Sequence, residues 1–179
     1  MEHSYRDYTL RRAVAEELPA LPEVERLAAE QFHHSPHPFA AGLPVQSLEQ
    51  LREHHQRGDV WVAVAKDGTV AAFTICKPLD GAVFIVEADV HPGHARRGLG
   101  AALFELIARW ARAEGYPALL LTTFGDVAWN APYYERLGFR ILRDDEQGPG
   151  LRAIREAETR FGLPPESRVS MKRVLDSER

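Results

Sequence analysis

Hydrophobic positions along the chain follow two rhythms, and the switches between them lay out the elements. Residues 60–65 and 70–75 are apolar runs separated by Lys66, Asp67, Gly68 and Thr69, and the Asp-Gly pair predicts an antiparallel hairpin. Residues 82–86 form a continuous apolar run, followed by Glu87, Ala88, Asp89 and Val90, where acids alternate with apolar residues and so share one face. That is the pattern of a buried central strand. Leu99, Leu103, Leu106, Ile107 and Trp110 then recur at helical spacing, with Glu105, Arg109 and Arg112 elsewhere and Gly115 as the stop. Residues 118–124 predict another buried strand and 129–138 a short helix, with Asn130 as its N-cap, Pro132 in its first turn and Gly138 at its left-handed end. An extended segment resumes over 139–142.

The flanks read less sharply. Residues 8–13 predict a first strand, 17–32 a helix through Leu21, Val24, Leu27 and Ala28, and 48–55 a second helix. Between them, His33, His34, Ser35, Pro36, His37, Pro38 and Phe39 read as a loop because of the prolines. After a polar stretch over 144–150, residues 151–161 predict a polar helix and 168–174 a closing strand. The order is an α/β one, and 179 residues suit a single domain over 1–179.

The junction Val90-His91-Pro92-Gly93-His94-Ala95-Arg96-Arg97-Gly98-Leu99-Gly100 carries the chemistry. The first amides of a helix have no intrahelical acceptor, and glycines without a Cβ let a phosphate approach the backbone. A P-loop would need Lys then Ser or Thr after the last glycine, but Ala101 and Ala102 stand there. A dinucleotide fingerprint would need a third glycine where Leu103 stands. The plainer alternative is that Gly98 and Gly100 only make a tight strand-to-helix turn.

The junction resembles the coenzyme A loop of the GNAT superfamily of acyl-CoA N-acyltransferases, with Val90, Pro92, Arg97, Gly98 and Gly100 matching its strand-loop-helix motif. Ala95 stands where that family usually has Arg or Gln. Residues 129–139 resemble the family's Tyr-x-x-x-Gly-Phe segment, with Tyr134 four residues before Gly138. The resemblance implies a GNAT fold: a central mixed sheet of six to seven strands flanked by helices, with two parallel strands splayed at the cofactor site. It implies acetyl-CoA as cosubstrate, held by main-chain amides of Ala95, Arg96, Arg97, Gly98, Leu99, Gly100 and Ala101. Val90 would offer its strand edge to the thioester. Tyr134 would be the acid that protonates the departing thiolate, a role that suits a phenol with a pKa of about 10; Tyr133 is the alternative. Packing of Trp129 on Tyr134 as a hydrophobic staple is the non-catalytic reading of the same residue. Asn130 is a cofactor-binding candidate as well as a cap, although the family's usual Asn position holds Val127.

Direct transfer to an amine requires that the ammonium lose its proton first. Glu87 and Asp89, on one strand face just before the loop, are the candidates to attract a cationic amine and draw off that proton, with His91 and His94 as alternatives. The same carboxylates can instead be satisfied by arginines or water. The expected activity is therefore acetyl-CoA-dependent N-acetyltransfer to an amine-bearing acceptor. Its rivals are a noncatalytic acyl-CoA-binding module and an O-acyltransferase or longer-chain acyltransferase.

Composition narrows the setting. A net charge of −4, with arginines interspersed among acids, gives no basic surface for nucleic acid. There is no apolar run of membrane-spanning length, and the amino terminus lacks a signal-peptide core, so no membrane partner and a cytoplasmic location are expected. Cys76, the lone cysteine, cannot form an internal disulfide and reads as a small buried residue. His33, His34 and His37 show no recognisable ligand spacing, so no metal is expected and the loop is a candidate for acceptor selection. Homodimers are common among similar proteins, and the segment over 144–167 is a candidate to cover the acceptor side or to form such an interface.

Overall fold

The computed structural model describes residues 2–175. Its strands are β1 (Glu2–Tyr5), β2 (Tyr8–Arg12), β3 (Val60–Ala65), β4 (Val70–Leu79), β5 (Ala82–Val90), β6 (Ala118–Phe124), β7 (Arg140–Ile141) and β8 (Arg168–Val174). Its helices are α1 (Leu21–Ala29), α2 (Leu48–Gln56), α3 (Leu99–Ala113), α4 (Ala131–Arg136) and α5 (Pro149–Phe161). The strands follow one another in a mixed sheet in the order β1-β2-β3-β4-β5-β6-β8-β7. Two compact units divide the chain. The first comprises the described residues up to 76 with 86–107, and the second 77–85 with those from 108 onward.

In the first unit, β3 is buried from Val60 to Val64, which is why it reads as an unbroken apolar run. Its alternate residues Val60, Val62 and Val64 join Phe73 and Ile75 in a core with Leu21, Val24 and Leu51. The 65–69 turn closes the predicted hairpin. Gly68 takes φ +88°, its amide donates to the Ala65 carbonyl at 2.9 Å, and the Asp67 carboxylate accepts from the Thr69 amide at 3.0 Å. Ser47 caps α2, accepting from the Gln50 amide at 3.2 Å while the Gln50 side chain accepts from the Ser47 amide at 2.8 Å.

Three expectations change here. The sheet has eight strands rather than six or seven, because Glu2–Tyr5 pairs antiparallel with β2, from Glu2↔Arg11 to Tyr5↔Tyr8. An edge strand with no apolar face carries no periodic signal, and backbone pairing alone makes it. The helix expected over 17–32 is an α-helix only over Leu21–Ala29, preceded by a 3-10 turn at Ala15–Ala20 and followed by another at Glu30–His34. Within a continuous α-helix the Pro22 ring would clash with the Leu18 carbonyl, so the chain restarts there with Pro22 in the first turn. The 33–39 segment is not plain loop either, since 3-10 turns at Glu30–His34 and Pro38–Gly42 enclose it and His37 is buried.

In the second unit, β5 and β6 run parallel, with Val83 opposite Leu119 and Phe84 opposite Leu120. Strand β8 pairs antiparallel along the whole of β6, from Ala118↔Val174 to Phe124↔Arg168, and β7 joins its other edge through Arg140↔Lys172 and Ile141↔Met171. The polar segment after β7 docks through two polar anchors. Glu158 of α5 accepts from Arg168 at 2.7 Å, Arg155 at 2.5 Å and Thr122 at 2.5 Å. Burial pushes its carboxyl pKa up, but these donors outweigh that and hold it below the usual value. At the other end of α5, the Asp80 carboxylate in the β4–β5 turn accepts from the Gly150 amide at 2.9 Å and the Leu151 amide at 2.8 Å. The α5 N-terminus is thus capped from another element, with Pro149 at its first position and no cap from Gly148.

Asp80→Ala leaves both of those amides without an acceptor and is expected to lower stability by about 1 to 2 kcal/mol. Denaturant unfolding of the variant beside the wild-type protein measures it, and an unchanged midpoint would contradict the cap.

Candidate functional site

The chain leaves β5 at Val90 and enters a 3-10 turn over Pro92–His94. The His91 amide donates to the Ala71 carbonyl at 2.9 Å. Successive strand residues point their amides to opposite edges, so the Val90 N–H is turned away from β4. His91 Nδ1 accepts the Gly93 amide at 3.0 Å, and the Ala95 amide returns to the Pro92 carbonyl at 3.1 Å. Arg96 and Gly98 both take left-handed backbone, at φ +60° and +80°. For Gly98 this is free, whereas Arg96 holds it against the clash that a Cβ brings. The Ala102 amide donates to the Gly98 carbonyl at 3.0 Å and closes the first turn of α3.

Ala95, Arg96, Arg97 and Gly98 are exposed, Gly100 and Ala101 half-buried, and Leu99 is buried as the anchor of the helix. The amides at the start of α3 therefore lie beside an open, glycine-bearing turn at the positive end of a helix of 15 residues, which is the arrangement that binds an anion. The guanidinium of Arg97 does not extend outward. It donates to the Tyr8 hydroxyl at 2.8 Å and to the Gly93 carbonyl at 3.3 Å.

Carboxylates gather in the same unit. Asp89 Oδ2 is out of reach of solvent and has no hydrogen-bond partner. Burial pushes the Asp89 carboxyl well above the ordinary range, and the neighbouring charges of Glu87 and Glu25 and a hydrogen bond to Glu87 push the same way. Glu25 of α1 is pushed up to about 7, first by burial and then by Glu87, against the Gln46 amide that donates to its Oε2 at 2.9 Å. Burial and mutual repulsion thus raise the proton affinity of both Glu25 and Asp89 above that of free carboxylates. Glu87 and Asp89 were legible from the sequence, and Glu25 was not. Its signal is an acid at a position on the buried stripe of α1, between Leu21 and Ala28 and beside Val24.

A cleft of about 440 Å³ in this unit is walled by Leu27, Ala28, Val90 and Pro92, with His33 and His34 at its polar side. It joins the end of β5 to the segment expected to select an acceptor. Among the described residues, no group of three or more His, Cys, Asp or Glu is placed to hold a metal ion. Cys76 is buried, which pushes its thiol up to about 12 and leaves it protonated. His94 is held below its ordinary value by burial first, then by Arg97 and His91.

In the second unit, α4 carries the tyrosine candidate. Tyr134 is half-buried, its ring 5.9 Å from that of Phe139 and 5.4 Å from that of Tyr133, both edge-on. Gly138 takes φ +87°, as expected of the helix end. Asn130 occupies the N-cap position, but with φ −108° and ψ −108° its side chain makes no cap bond, contrary to expectation. Its carbonyl instead accepts from the Tyr133 amide at 2.9 Å and the Tyr134 amide at 3.0 Å. No helix among the described residues is long and apolar enough to cross a membrane.

The family model described as "Acetyltransferase (GNAT) family" matches residues 21–139, more than half of the chain. The structure is similar to that of the PaiA N-acetyltransferase from Thermoplasma acidophilum in complex with coenzyme A, at 17% identity and a TM-score of 0.71 over 93% of this chain and 98% of that one. It is also similar to N-acetylglutamate synthase from Neisseria gonorrhoeae complexed with coenzyme A and N-acetyl-glutamate, at 18% identity and a TM-score of 0.72. That match takes in 97% of this chain but 36% of the synthase. Ribosomal-protein-S18-alanine N-acetyltransferase from Escherichia coli matches at 19% identity and a TM-score of 0.64 over 96% of each chain. At these identities the likenesses concern the fold.

Because the Glu25 carboxyl rises from 4.5 to about 7 on folding, its ionisation opposes the folded state as pH climbs through that interval. Glu25→Gln keeps an acceptor for the Gln46 amide and removes the titration. The variant is expected to match the wild type near pH 4 and to exceed it by about 1 to 2 kcal/mol at pH 8, the upper bound being reduced because the carboxyl is only partly buried. Urea unfolding at the two pH values reads the difference, and equal stabilities at pH 8 would remove Glu25 from the cluster.

Proposed function

The chain belongs to the acetyltransferase (GNAT) family, and on that premise we propose that it is an acetyl-CoA-dependent N-acetyltransferase that moves the acetyl group directly to a primary amine. The observation that carries the reading is the exposed turn between β5 and α3. Its left-handed Arg96 and Gly98 and the first-turn amides of α3 lie inside the segment that the family model matches. Coenzyme A bound in three structures with this fold supports the choice of thioester.

In this reading, the amides from Arg96 to Ala101 hold the pyrophosphate, with exposed Arg96 adding charge; the Ala95 amide, expected among them, is already bonded to the Pro92 carbonyl. The Val90 N–H, turned away from β4, polarises the thioester carbonyl and stabilises the oxyanion that forms on it. Glu87, with Glu25 and Asp89 sharing its charge, attracts the acceptor ammonium and takes its proton, directly or through water. The freed nitrogen lone pair attacks the carbonyl carbon, the tetrahedral intermediate collapses with loss of the C–S bond, the Tyr134 hydroxyl gives its proton to the departing thiolate, and the second proton of the attacking nitrogen restores the Tyr134 phenol, directly or through water. The acidic cluster supports a cationic acceptor. The cleft lined by Leu27, Val90 and Pro92 supports an acceptor with an apolar portion next to its amine.

Thiol release from acetyl-CoA against a panel of amines and alcohols tests the reading. Amine-dependent turnover is expected. Tight coenzyme binding without transfer would favour a noncatalytic module, and transfer to alcohols an O-acyltransferase.

Tyr134→Phe is expected to lower kcat about 100-fold while leaving the KM for acetyl-CoA nearly unchanged. An unaltered kcat would assign the proton to another group.

The rate is expected to rise with pH through about 7 as Glu25 gives up its proton and the cluster becomes able to accept one. In Glu25→Gln that inflection should disappear from the pH profile, and its persistence would place the titration elsewhere.

A further inference from the structure

We propose that Tyr8 and His94 are positioning residues for the coenzyme loop, acting through Arg97; the inference rests on the transferase reading above. The chain's first hairpin grips one residue of the loop at both ends. On the side-chain end, the Arg97 guanidinium donates to the Tyr8 hydroxyl at 2.8 Å and the Gly93 carbonyl at 3.3 Å. On the main-chain end, the Arg97 carbonyl accepts from Arg6 Nη1 at 3.1 Å and from the Tyr5 hydroxyl at 3.4 Å. A trans peptide points its carbonyl and the next amide in opposite directions. Pinning the Arg97 carbonyl toward the hairpin therefore turns the Gly98 amide away from it.

Tyr8 completes the relay. The residue is 5% exposed, in the β2 strand, and its oxygen lies 2.9 Å from His94 Nδ1. Guanidinium can only donate, so the Tyr8 oxygen accepts there and its single proton is left for His94 Nδ1. This requires a neutral His94 with its proton on Nε2. The edge-on packing of the His94 ring against Tyr8, at 5.7 Å between centroids, holds that orientation. The groups that face His94 are Arg97, His91, Asp67 and the Tyr8 hydroxyl. Only Asp67 favours a positive imidazole; Arg97 and His91 oppose it. A proton on Nδ1 removes the acceptor that Tyr8 uses and sets a second cation beside Arg97. The relay therefore holds at neutral pH and fails as pH falls below the ordinary histidine value of about 6.5.

Calorimetry of coenzyme A binding to the full chain at pH 7.5 and 5.5, with steady-state kinetics at pH 7.5, tests this. Tyr8→Phe and His94→Ala are expected to raise the Kd for coenzyme A and the KM for acetyl-CoA about tenfold at pH 7.5, with kcat at saturation within about twofold. A general loss of structure would lower kcat as well. His94→Asn offers Oδ1 where Nδ1 stood and cannot titrate, so it should recover most of the affinity lost in His94→Ala and bind at pH 5.5 better than the wild type. Wild-type protein that binds no coenzyme A overturns the transferase reading and this one with it. Wild type that binds, with a folded Tyr8→Phe that binds equally well, overturns the relay alone. Should Tyr8→Phe fail to fold, the two His94 variants decide, and equal affinity for both overturns the proposal.

Discussion

The guanidinium of Arg97 lies 2.8 Å from the Tyr8 hydroxyl and 3.3 Å from the Gly93 carbonyl, so a residue of the exposed turn between β5 and α3 is anchored on the protein. A turn that must leave amides unpaired for a ligand cannot stabilise itself through those amides. Its shape has to come from contacts made elsewhere. Here they are the bonds of Arg97, the His91 ring on the Gly93 amide at 3.0 Å, and buried Leu99 at the start of α3. With these in place, Arg96 is held at φ +60°, a conformation that a free arginine avoids.

A second constraint is electrostatic. Asp89, Glu87 and Glu25 come together where burial already penalises charge, and each ion raises the cost of the next. Glu25 and Asp89 therefore hold their protons more tightly than a surface carboxylate would. The Gln46 amide, which donates to Glu25 at 2.9 Å just before α2, keeps part of that charge in place.

The second unit solves a different problem, that of docking a polar helix. Only Leu151 of α5 is buried, so the helix is held by ions and caps in place of an apolar stripe. Glu158 satisfies two arginines and a threonine, Arg168 also stacks over Phe124 at 4.8 Å, and Asp80 closes the helix N-terminus. Such contacts are directional, so they fix one placement for α5 where a greasy face would allow several.

Where apolar periodicity decides an element, the sequence alone was sufficient. The 60–65 and 70–75 runs, the helix that starts at Leu99 and stops before Gly115, and the 118–124 strand are all present, because burying those side chains leaves few alternatives. The strand-turn-helix motif at 90–100 and the tyrosine helix ending at Gly138 were legible too, since glycines mark backbone that other residues resist. Strand β1, the break at Pro22 and the bare N-cap of Asn130 were not, because pairing, ring sterics and backbone geometry carry no hydrophobic rhythm. Glu25 joined Glu87 and Asp89, and Tyr8 reached Arg97, only once residues more than 60 positions apart were brought together. Ionisation and hydrogen bonding at both places depend on distance through space, which a linear pattern does not encode.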